Sequence, residues 1–251
     1  MIVLWPCYRT TSQERMKADA MADLDVALVL WLNQYSQRYP VVDTLMATVF
    51  AYQLFRGAVI VALLWWAWMG SRTRLVTDDL FLVRTVLGIT VALAVARGLQ
   101  NFLWHRPRPL HDQALDFRVP LGGTEDALKD WSSFPSDHAV LVAALVVAVL
   151  LLNRSLGILA AIWAACVVLL PRVYLGLHYP SDIVGGAIVG MVIMLAAQWL
   201  PLPRRLGPIL MDLEDQHRGL AYAAFFVFSF FCATMFDDVR QLLRLVARIV
   251  L

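Results

Sequence analysis

Charged residues are scarce in this chain of 251 residues. Only 16% of the residues are Asp, Glu, Lys or Arg, whereas 60% are hydrophobic, and the mean hydropathy is +0.66. Soluble domains carry about a quarter charged residues and about half apolar residues. The composition therefore excludes an ordinary soluble domain and predicts an integral membrane protein.

Cysteine and basic runs are also scarce. Cys7, Cys166 and Cys232 are the three cysteines, and their wide spacing excludes both a disulfide framework and a zinc-binding pattern. The net charge is +2, and there is no basic run beyond Arg204 and Arg205, so we expect no nucleic-acid partner. We also expect no metal ion and no cofactor.

Long apolar stretches are plentiful. A membrane-spanning helix needs about 20 mostly apolar residues. Six stretches come close to this length and predict membrane-spanning helices: 52–70, 80–103, 138–153, 155–171, 183–200 and 219–236. The triplet Asn153-Arg154-Ser155 between the third and fourth stretches predicts a tight turn between two helices.

The two ends of the chain differ from these stretches. Polar residues interrupt region 24–51, which predicts two short helices at the membrane interface. Near the C-terminus, Arg240, Arg244 and Arg248 lie four residues apart, which predicts an amphipathic helix on the membrane surface. The chain is thus predicted to be a single all-α polytopic membrane helix bundle over 1–251. Its catalytic core would span about 24–200, and a further membrane helix and the tail would follow over 219–251.

The positions of arginine and lysine in the loops predict the orientation. One side of the membrane would hold Arg72, Arg74, Arg154, Arg204, Arg205 and Arg218, and the other would hold Arg106, Arg108, Arg118, Lys129 and Arg172. The two sets are nearly equal, but several arginines of the second set lie in clusters that predict function. Discounting those, we expect the first side to be cytoplasmic and the second to face the periplasm or the extracellular space.

Three polar clusters stand at the ends of the apolar stretches. They read HRPRP (105–109), FPSDH (134–138) and PRVYLGLHYPSD (171–182). Counting membrane crossings places all three at the same face. Polar and ionisable side chains are costly within a bilayer, so their convergence predicts a functional site.

The first two clusters predict a phosphate-binding site. Arg108, together with Arg172 of the third cluster, offers a planar guanidinium that suits phosphate oxygens. Ser136 lies at a predicted helix N-terminus, where free backbone N–H groups and the helix dipole favour an anion.

Two histidines predict the chemistry. His138 is a candidate proton donor near the start of its helix. His178 lies four residues before Asp182, whose carboxylate would fix the imidazole tautomer and make the other ring nitrogen a better nucleophile. The step Pro-Ser-Asp occurs in both clusters, and we expect one copy to begin a phosphate cradle and the other to supply Asp182. Together these residues predict metal-free phosphoryl transfer.

The third cluster resembles the type 2 phosphatidic acid phosphatase superfamily, which comprises integral lipid phosphatases related to vanadium haloperoxidases. The third motif of that family is Ser-Arg, five residues, His, three residues, Asp. Arg172, His178 and Asp182 match it in register, with Pro171 in place of the serine. The resemblance covers about residues 24–200.

The other two family motifs match with one departure each. The second motif, Pro-Ser-Gly-His, has Asp137 in place of glycine. The first motif, a lysine, six residues and Arg-Pro, ends at Arg108-Pro109 but has Asn101 at the lysine position. Arg97, one helical turn earlier, and Arg106 are candidates to replace the missing charge.

The stretches SFPSDH and RVYLGLHYPSDIVGG are most similar to the undecaprenyl-diphosphatase branch. That branch recycles the polyprenyl carrier of bacterial wall and surface-glycan synthesis. The resemblance implies a multi-pass protein of the bacterial cytoplasmic (inner) membrane that acts on a membrane lipid, with the site facing outward. It also implies that His178 becomes a phosphohistidine, Asp182 positions it and His138 protonates the leaving group. The remaining residues of the site would hold the phosphate: Arg108, Arg172, Ser136, Asp137, Asn101, Arg97 and Arg106.

Several alternatives stay open at this point. The headgroup could be that of phosphatidate, phosphatidylglycerophosphate or a lipid A phosphate, the acceptor could be a lipid instead of water, or the chain could be a lipid transporter with a decayed site. The long loop 110–133 is either a solvated loop or a lid that selects the headgroup. His105, His111 and His217 have no partner at ligand spacing and are expected to be loop or interfacial histidines. The sequence predicts no particular oligomeric state.

Overall fold

The computed structural model describes residues 12–52, 54–70, 80–124, 131–203, 206–234 and 236. Within these ranges every regular element is helical. The predicted all-α class is therefore confirmed for the part of the chain that is described.

The helices follow one another with short connections, except before α5. They are α1 (Ser12–Asn33), α2 (Pro40–Ala51), α3 (Val59–Gly70), α4 (Phe81–Phe102), α5 (Asp137–Leu152), α6 (Arg154–Trp163), α7 (Leu170–Tyr174), α8 (Pro180–Gln198) and α9 (Leu206–Ala233). A π-helical turn, Leu54–Ala58, precedes α3, and another, Ala164–Leu169, joins α6 to α7. Helix α9 is kinked at His217.

In the part of the chain that the structure describes, three helical segments are long and apolar enough to cross a membrane: α4, Arg154–Tyr174 (α6 through α7) and α8. Helix α2 and the segment Leu54–Gly70 would make a fourth, bent by 73° at the break between them. Helix α5 and Tyr222–Ala233 are apolar but shorter. The integral-membrane character is confirmed, while the count of six spanning helices stays a prediction.

The N-terminal region differs from its predicted boundaries. Helix α1 begins at Ser12 instead of near residue 24. The added stretch is rich in Glu, Arg, Met, Lys and Ala, which favour helix and extend it without any apolar pattern. The break after Asn33 and the new start at Pro40 agree with two helices, since proline suits the first helical position. The predicted amphipathic tail lies outside the described residues.

Helix α5 occupies the centre of the bundle. It is buried continuously from Ala139 to Val149 and packs against α3, α4, α6 and α8. A helix that is apolar on all sides needs such a surrounded position. Asn153 then ends α5 and caps α6, because its Oδ1 accepts a hydrogen bond of 3.1 Å from the Leu156 amide. The predicted tight turn is confirmed.

Helix α8 approaches α5 backbone to backbone. A Cβ atom on Gly186 would lie 2.5 Å from the carbonyl oxygen of Ser136, and one on Gly190 would lie 2.1 Å from that of Val140. Real side chains do not tolerate such distances, so both positions need glycine. This close packing brings the N-terminal ends of α5 and α8 side by side.

The connection between α4 and α5 is docked on the N-terminal helices. Asn33 pairs with the backbone of Arg118 through two hydrogen bonds of 2.7 and 2.8 Å. The Leu121 amide donates to Asp43 over 3.1 Å, and the Leu110 amide donates to the Gly176 carbonyl over 2.9 Å. Residues 110–124 are thus tied to the bundle, while a lid or selector role for loop 110–133 stays a prediction.

Candidate active site

The three polar clusters meet at one end of the bundle. The end of α4 reaches the start of α5 through Arg97 and Asp137, whose side chains are 2.7 Å apart. The α4–α5 connection reaches the start of α8 through Arg106 and Asp182, 2.6 Å apart. The two helix starts also touch directly, since the Ser136 amide donates to the Asp182 carbonyl over 3.2 Å. The three clusters therefore lie together at one end of the bundle, while their position at one face of the membrane stays a prediction.

His178 is buried in the short connection between α7 and α8. Its Nδ1 lies 2.9 Å from the Ser133 carbonyl oxygen and 3.8 Å from the Asp182 carboxylate. A carbonyl oxygen can only accept, so Nδ1 carries the proton and Nε2 carries the lone pair. Asp182 acts on the ring as a nearby charge, and Ser133 takes the hydrogen bond that the sequence assigned to Asp182. The outcome is the tautomer that a nucleophilic Nε2 requires.

Asp182 holds the start of α8 as well as the site. The helix begins at Pro180, and Asp182 reaches back to accept a hydrogen bond of 2.8 Å from the Tyr179 amide. This is the carboxylate half of a capping box. His178 therefore lies just before the helix and meets Asp182 through a turn. Gly176, with a φ of +70°, lies in the turn that leads to His178.

Arg108 is the cation beside the nucleophile. Its Nη1 lies 3.3 Å from His178 Nε2, and the guanidinium also donates to the carbonyls of Leu177 and Ser132 over 2.6 and 3.3 Å. Among the described residues it forms no ion pair with a carboxylate. Burial lowers the pKa of Arg108, but the ordinary value is so high that the group stays charged. Its positive charge is therefore available to an anion at His178.

The same environment keeps His178 neutral. Burial lowers the pKa of its imidazole, and the charge of Arg108 acts in the same direction, although Asp182 opposes both. A neutral imidazole has the free lone pair that attack on phosphorus needs. Two buried polar atoms next to it, Arg108 Nε and Ser133 Oγ, have no hydrogen-bond partner within the described part of the chain.

Arg106 lies between two carboxylates. It donates to Asp182 over 2.6 Å and to Asp25 of α1 over 2.8 Å, and it stacks on the Tyr179 ring at 4.1 Å. Burial works to lower its pKa, but the two carboxylates outweigh burial and raise the pKa of Arg106. Because its charge is already matched, these contacts favour a positioning role, and phosphate binding by Arg106 stays a prediction.

The start of α5 carries the second histidine. Ser136 is its N-cap, and its hydroxyl lies 3.5 Å from the Ala139 amide. Asp137 accepts hydrogen bonds of 2.9 Å from both the backbone amide and the ring Nδ1 of His138. Asp137 is negative and paired, so these contacts do not favour its predicted role as a phosphate ligand.

The end of α4 holds the residues proposed to replace the missing lysine. Arg97 donates to Asp137 over 2.7 Å and to Gln100 over 2.9 Å, and it lies over the Trp131 ring at 5.0 Å. Gln100 in turn donates to the Pro135 carbonyl over 2.7 Å. Asn101 is exposed in the last turn of α4. Arg97 thus contacts Asp137 of the second motif, while its replacement of the missing lysine and phosphate binding by Arg97 and Asn101 stay predictions.

Arg172, six residues before His178 in the sequence, is nearly fully buried. Its guanidinium donates to the Val168 carbonyl and lies over the Phe50 ring at 5.4 Å. Its backbone carbonyl accepts hydrogen bonds from the amides of Leu177 and His178, at 2.9 and 3.3 Å. The observed contribution of Arg172 is therefore to the turn that presents His178, and its predicted phosphate contact stays a prediction.

The sequence reasoning missed several residues of the site. Ser133 supplies the carbonyl for His178, and Asp25 supplies the second carboxylate for Arg106. Asp25 had one visible signal, since it is an acid followed by the apolar run from Val26 to Leu32. A backbone carbonyl such as that of Ser133 leaves no signal in a sequence.

The sequence of this chain is similar to those of known phosphatases. Residues 81–205 match the PAP2 superfamily. YbjG of Escherichia coli (strain K12), named as a candidate undecaprenyl-diphosphatase, is 27% identical over 188 residues, which cover 74% of this chain and 88% of YbjG. The undecaprenyl-diphosphatase BcrC of Bacillus subtilis (strain 168) is 26% identical and is covered over 76% of its length, with 64% of this chain. The lipid A 1-phosphatase of Rhizobium etli is 34% identical over 127 residues, 43% of this chain and 50% of that protein.

The chain therefore contains a PAP2 superfamily domain over residues 81–205, and this range includes Arg108, His138, His178 and Asp182. It is an integral membrane hydrolase of the lipid phosphatase class. Membership of this class favours an enzyme over the alternative of a lipid transporter with a decayed site.

Proposed function

We propose that the protein removes the terminal phosphate of a polyprenyl diphosphate, such as undecaprenyl diphosphate, without a metal ion. The observation that carries the proposal is the buried position of His178, whose Nε2 faces Arg108 Nη1 at 3.3 Å. A nucleophilic nitrogen and a cation at this separation suit attack on a phosphoryl group whose oxygens pair with the cation.

In the first half of the reaction, His178 Nε2 attacks the terminal phosphorus. The bond between that phosphorus and the bridging oxygen breaks, and His138 donates its proton to the departing polyprenyl phosphate. The imidazole becomes positively charged as the phosphorus–nitrogen bond forms. The Ser133 carbonyl at 2.9 Å and the Asp182 carboxylate at 3.8 Å stabilise that charge.

In the second half, water attacks the phosphohistidine. His138, now neutral, takes a proton from the water, and the phosphorus–nitrogen bond breaks to release inorganic phosphate. Arg108 Nε and Ser133 Oγ, two buried donors without a partner among the described residues, are suited to phosphoryl oxygens, because buried polar groups are normally satisfied. The backbone amides at the start of α5 add the anion-favouring end of a helix dipole.

The substrate class follows from two lines of support. Two relatives that cover 74% and 64% of this chain, YbjG and the BcrC of Bacillus subtilis, are named for undecaprenyl diphosphate. The site also lies at the ends of helices α4 and α8, both long enough to span a membrane, so a lipid can present its headgroup at this end from the bilayer. We place the protein in the bacterial cytoplasmic membrane with this end facing the periplasm or the cell exterior.

A lipid A phosphate is the second candidate substrate. The supporting observation is the identity of 34% to the lipid A 1-phosphatase of Rhizobium etli, although only 50% of that protein is covered. The chemistry at His178 would be the same, and only the leaving group would differ.

The proposal is tested by phosphate release from purified protein in detergent and EDTA. Undecaprenyl diphosphate, lipid A and phosphatidate are offered in parallel, with His178→Ala as the inactive variant and the exposed His105→Ala as its matched control. We expect release from undecaprenyl diphosphate that survives EDTA, is retained in His105→Ala and disappears in His178→Ala. Release that needs a divalent ion would contradict the mechanism, and a preference for lipid A would select the second candidate.

A further inference from the structure

Asp137 stands where the resembling family has glycine, which has no side chain. In this chain the side chain at that position touches the second histidine directly. Its carboxylate oxygen Oδ1 lies 2.9 Å from both the backbone amide and the ring Nδ1 of His138. Both side chains are mostly buried, with exposed fractions of 11% for Asp137 and 13% for His138.

The contact fixes the state of the His138 ring. An ionised carboxylate only accepts hydrogen bonds, so Nδ1 of His138 carries a proton and Nε2 is the nitrogen that exchanges a proton with the substrate. With Asp137 on Nδ1, Nε2 is left as the nitrogen that can carry the proton of a general acid.

Arg97 holds the second oxygen of the same carboxylate. Its Nη2 lies 2.7 Å from Asp137 Oδ2, and Gln100 and the Trp131 ring hold the guanidinium in place. The carboxylate is thus clamped between α4 and the histidine on its own helix. A clamped carboxylate can hold the imidazole in one orientation at little entropic cost.

The surrounding charges support this reading. Arg97 comes from α4, Arg108 from the α4–α5 connection, and His178 and Asp182 from the α7–α8 region. Asp182 is engaged by Arg106 and the Tyr179 amide, so its charge is directed to the other histidine. Asp137 is the carboxylate in direct contact with the His138 ring.

We infer that Asp137 is a positioning residue that holds His138 as the general acid, and that Arg97 braces Asp137. This inference rests on the proposed function, in which His138 protonates the leaving group. It gives one purpose to Asp137, the departure in the second motif, and to Arg97, the candidate to replace the missing lysine of the first motif. Arg97 then serves the proton donor, and Arg108 is the arginine beside the nucleophile.

The test compares two leaving groups in Asp137→Asn. One substrate is a long-chain alkyl phosphate, whose leaving alcohol needs a proton, and the other is a nitrophenyl phosphate carrying the same chain, whose leaving group does not. We expect kcat to fall about 10- to 100-fold for the alkyl phosphate, a part of the 100- to 10,000-fold typical of general acids, and less than about 3-fold for the nitrophenyl phosphate. The ratio of the two rates does not depend on how much protein is folded. An equal fall for both substrates, or no fall for either, would overturn the inference.

Control variants separate this inference from the proposed function. If His138→Ala leaves the ratio of the two rates unchanged, His138 is not the acid and the proposed mechanism fails. If His138→Ala shifts the ratio and Asp137→Asn does not, only the positioning role of Asp137 fails. Asp137→Glu should recover part of the ratio because it restores a carboxylate. Asp116→Asn, which removes an exposed acid of the α4–α5 connection, should leave both rates unchanged.

The brace is tested by a double-mutant cycle. Arg97→Gln should lower the alkyl phosphate rate by less than Asp137→Asn does, with the nitrophenyl phosphate rate again nearly unchanged. The double variant should be no slower than Asp137→Asn alone, because Arg97 acts through Asp137. Losses that simply multiply would show that the two residues act separately.

Discussion

The two Pro-Ser-Asp steps begin their helices in different registers. In the first step Ser136 is the N-cap and Asp137 is the first helical residue of α5. In the second step Pro180 is already helical, and Asp182 is the third residue of α8. A shift of two positions on a helix turns a side chain by about 200°, so the two aspartates point to different partners. Asp137 faces the histidine that follows it, whereas Asp182 reaches back toward the histidine that precedes the helix.

The two histidines are consequently supported in different ways. His178 depends on distant parts of the chain, because its hydrogen-bond acceptor is the Ser133 carbonyl and its carboxylate is held by Arg106, which is held in turn by Asp25 of α1. His138 depends on its neighbour Asp137 and on one helix, α4. The nucleophile thus requires the assembled bundle, whereas the contacts described for the proton donor come from its own helix start and from α4.

The sharpest way to test this asymmetry is to remove each histidine. His178→Ala removes the nucleophile, and we expect phosphate release to fall at least about 1,000-fold. His138→Ala should cost about 100- to 10,000-fold with an alkyl leaving group and much less with an activated one. Acid-labile labelling of the protein by radioactive substrate measures formation of the phosphohistidine, and phosphate release measures the complete reaction. A labelled protein in His178→Ala would place the nucleophile elsewhere.

The long-range support of His178 is broken by Arg106→Gln. This change leaves Asp25 and Asp182 without their shared cation, and we expect phosphate release to fall about 10- to 100-fold and the melting temperature to drop. The double variant Arg106→Gln, Asp25→Asn should recover part of the melting temperature, because one buried unpaired charge is gone. Arg118→Gln is the matched control, since only the backbone of this exposed residue makes the contacts seen here. A melting temperature unchanged by Arg106→Gln would refute the support through α1.

The same asymmetry explains which parts of the site were predictable from the sequence. His178, Asp182 and His138 lie in short motifs with fixed spacing, and counting crossings placed these motifs together correctly. The contact between His178 and the Ser133 carbonyl spans 45 residues and involves a backbone atom, so no side-chain pattern reports it. The link from Arg106 to Asp25 spans 81 residues and depends on how α1 packs.

The fold was predictable to a similar degree. Apolar stretches located α4, α5, α8 and the segment Arg154–Tyr174 to within a few residues, because hydrophobic runs in a membrane favour helix. They did not show that this segment contains a π-helical turn between α6 and α7, or that α5 is surrounded by other helices. Those features depend on neighbouring helices, and the start of α1 at Ser12 depends on helix propensity in a polar segment.

The close packing of α8 against α5, which holds the two histidine-bearing helix starts together, is tested by Gly190→Ala. The new Cβ would meet the Val140 carbonyl oxygen at 2.1 Å, so α8 must move away from α5. We expect a loss of about 1 to 3 kcal/mol in stability, as for other overpacked sites, measured as a lower melting temperature in detergent. Gly219→Ala is the control, since nothing lies within 4 Å of its Cβ position. If both variants melt alike, the close approach of α5 and α8 is not what holds the two helix starts together.

The smallest effect concerns the charge state of His178. Burial lowers the pKa of His178 below its ordinary value of 6.5. Between pH 6.5 and this lowered pKa, His178 is therefore protonated in the unfolded chain and neutral in the folded protein. Stability therefore rises with pH in that range and is lost as the pH falls from 6.5 toward the lowered pKa. We expect the melting temperature of the wild type to fall more steeply between pH 7.5 and 5.5 than that of His178→Asn, which has no such proton to bind. Parallel curves would mean that the pKa of His178 is the same in the folded and unfolded states. A shallower fall in the wild type would mean that the folded protein favours the charged imidazole, which has no lone pair at Nε2 for attack on phosphorus.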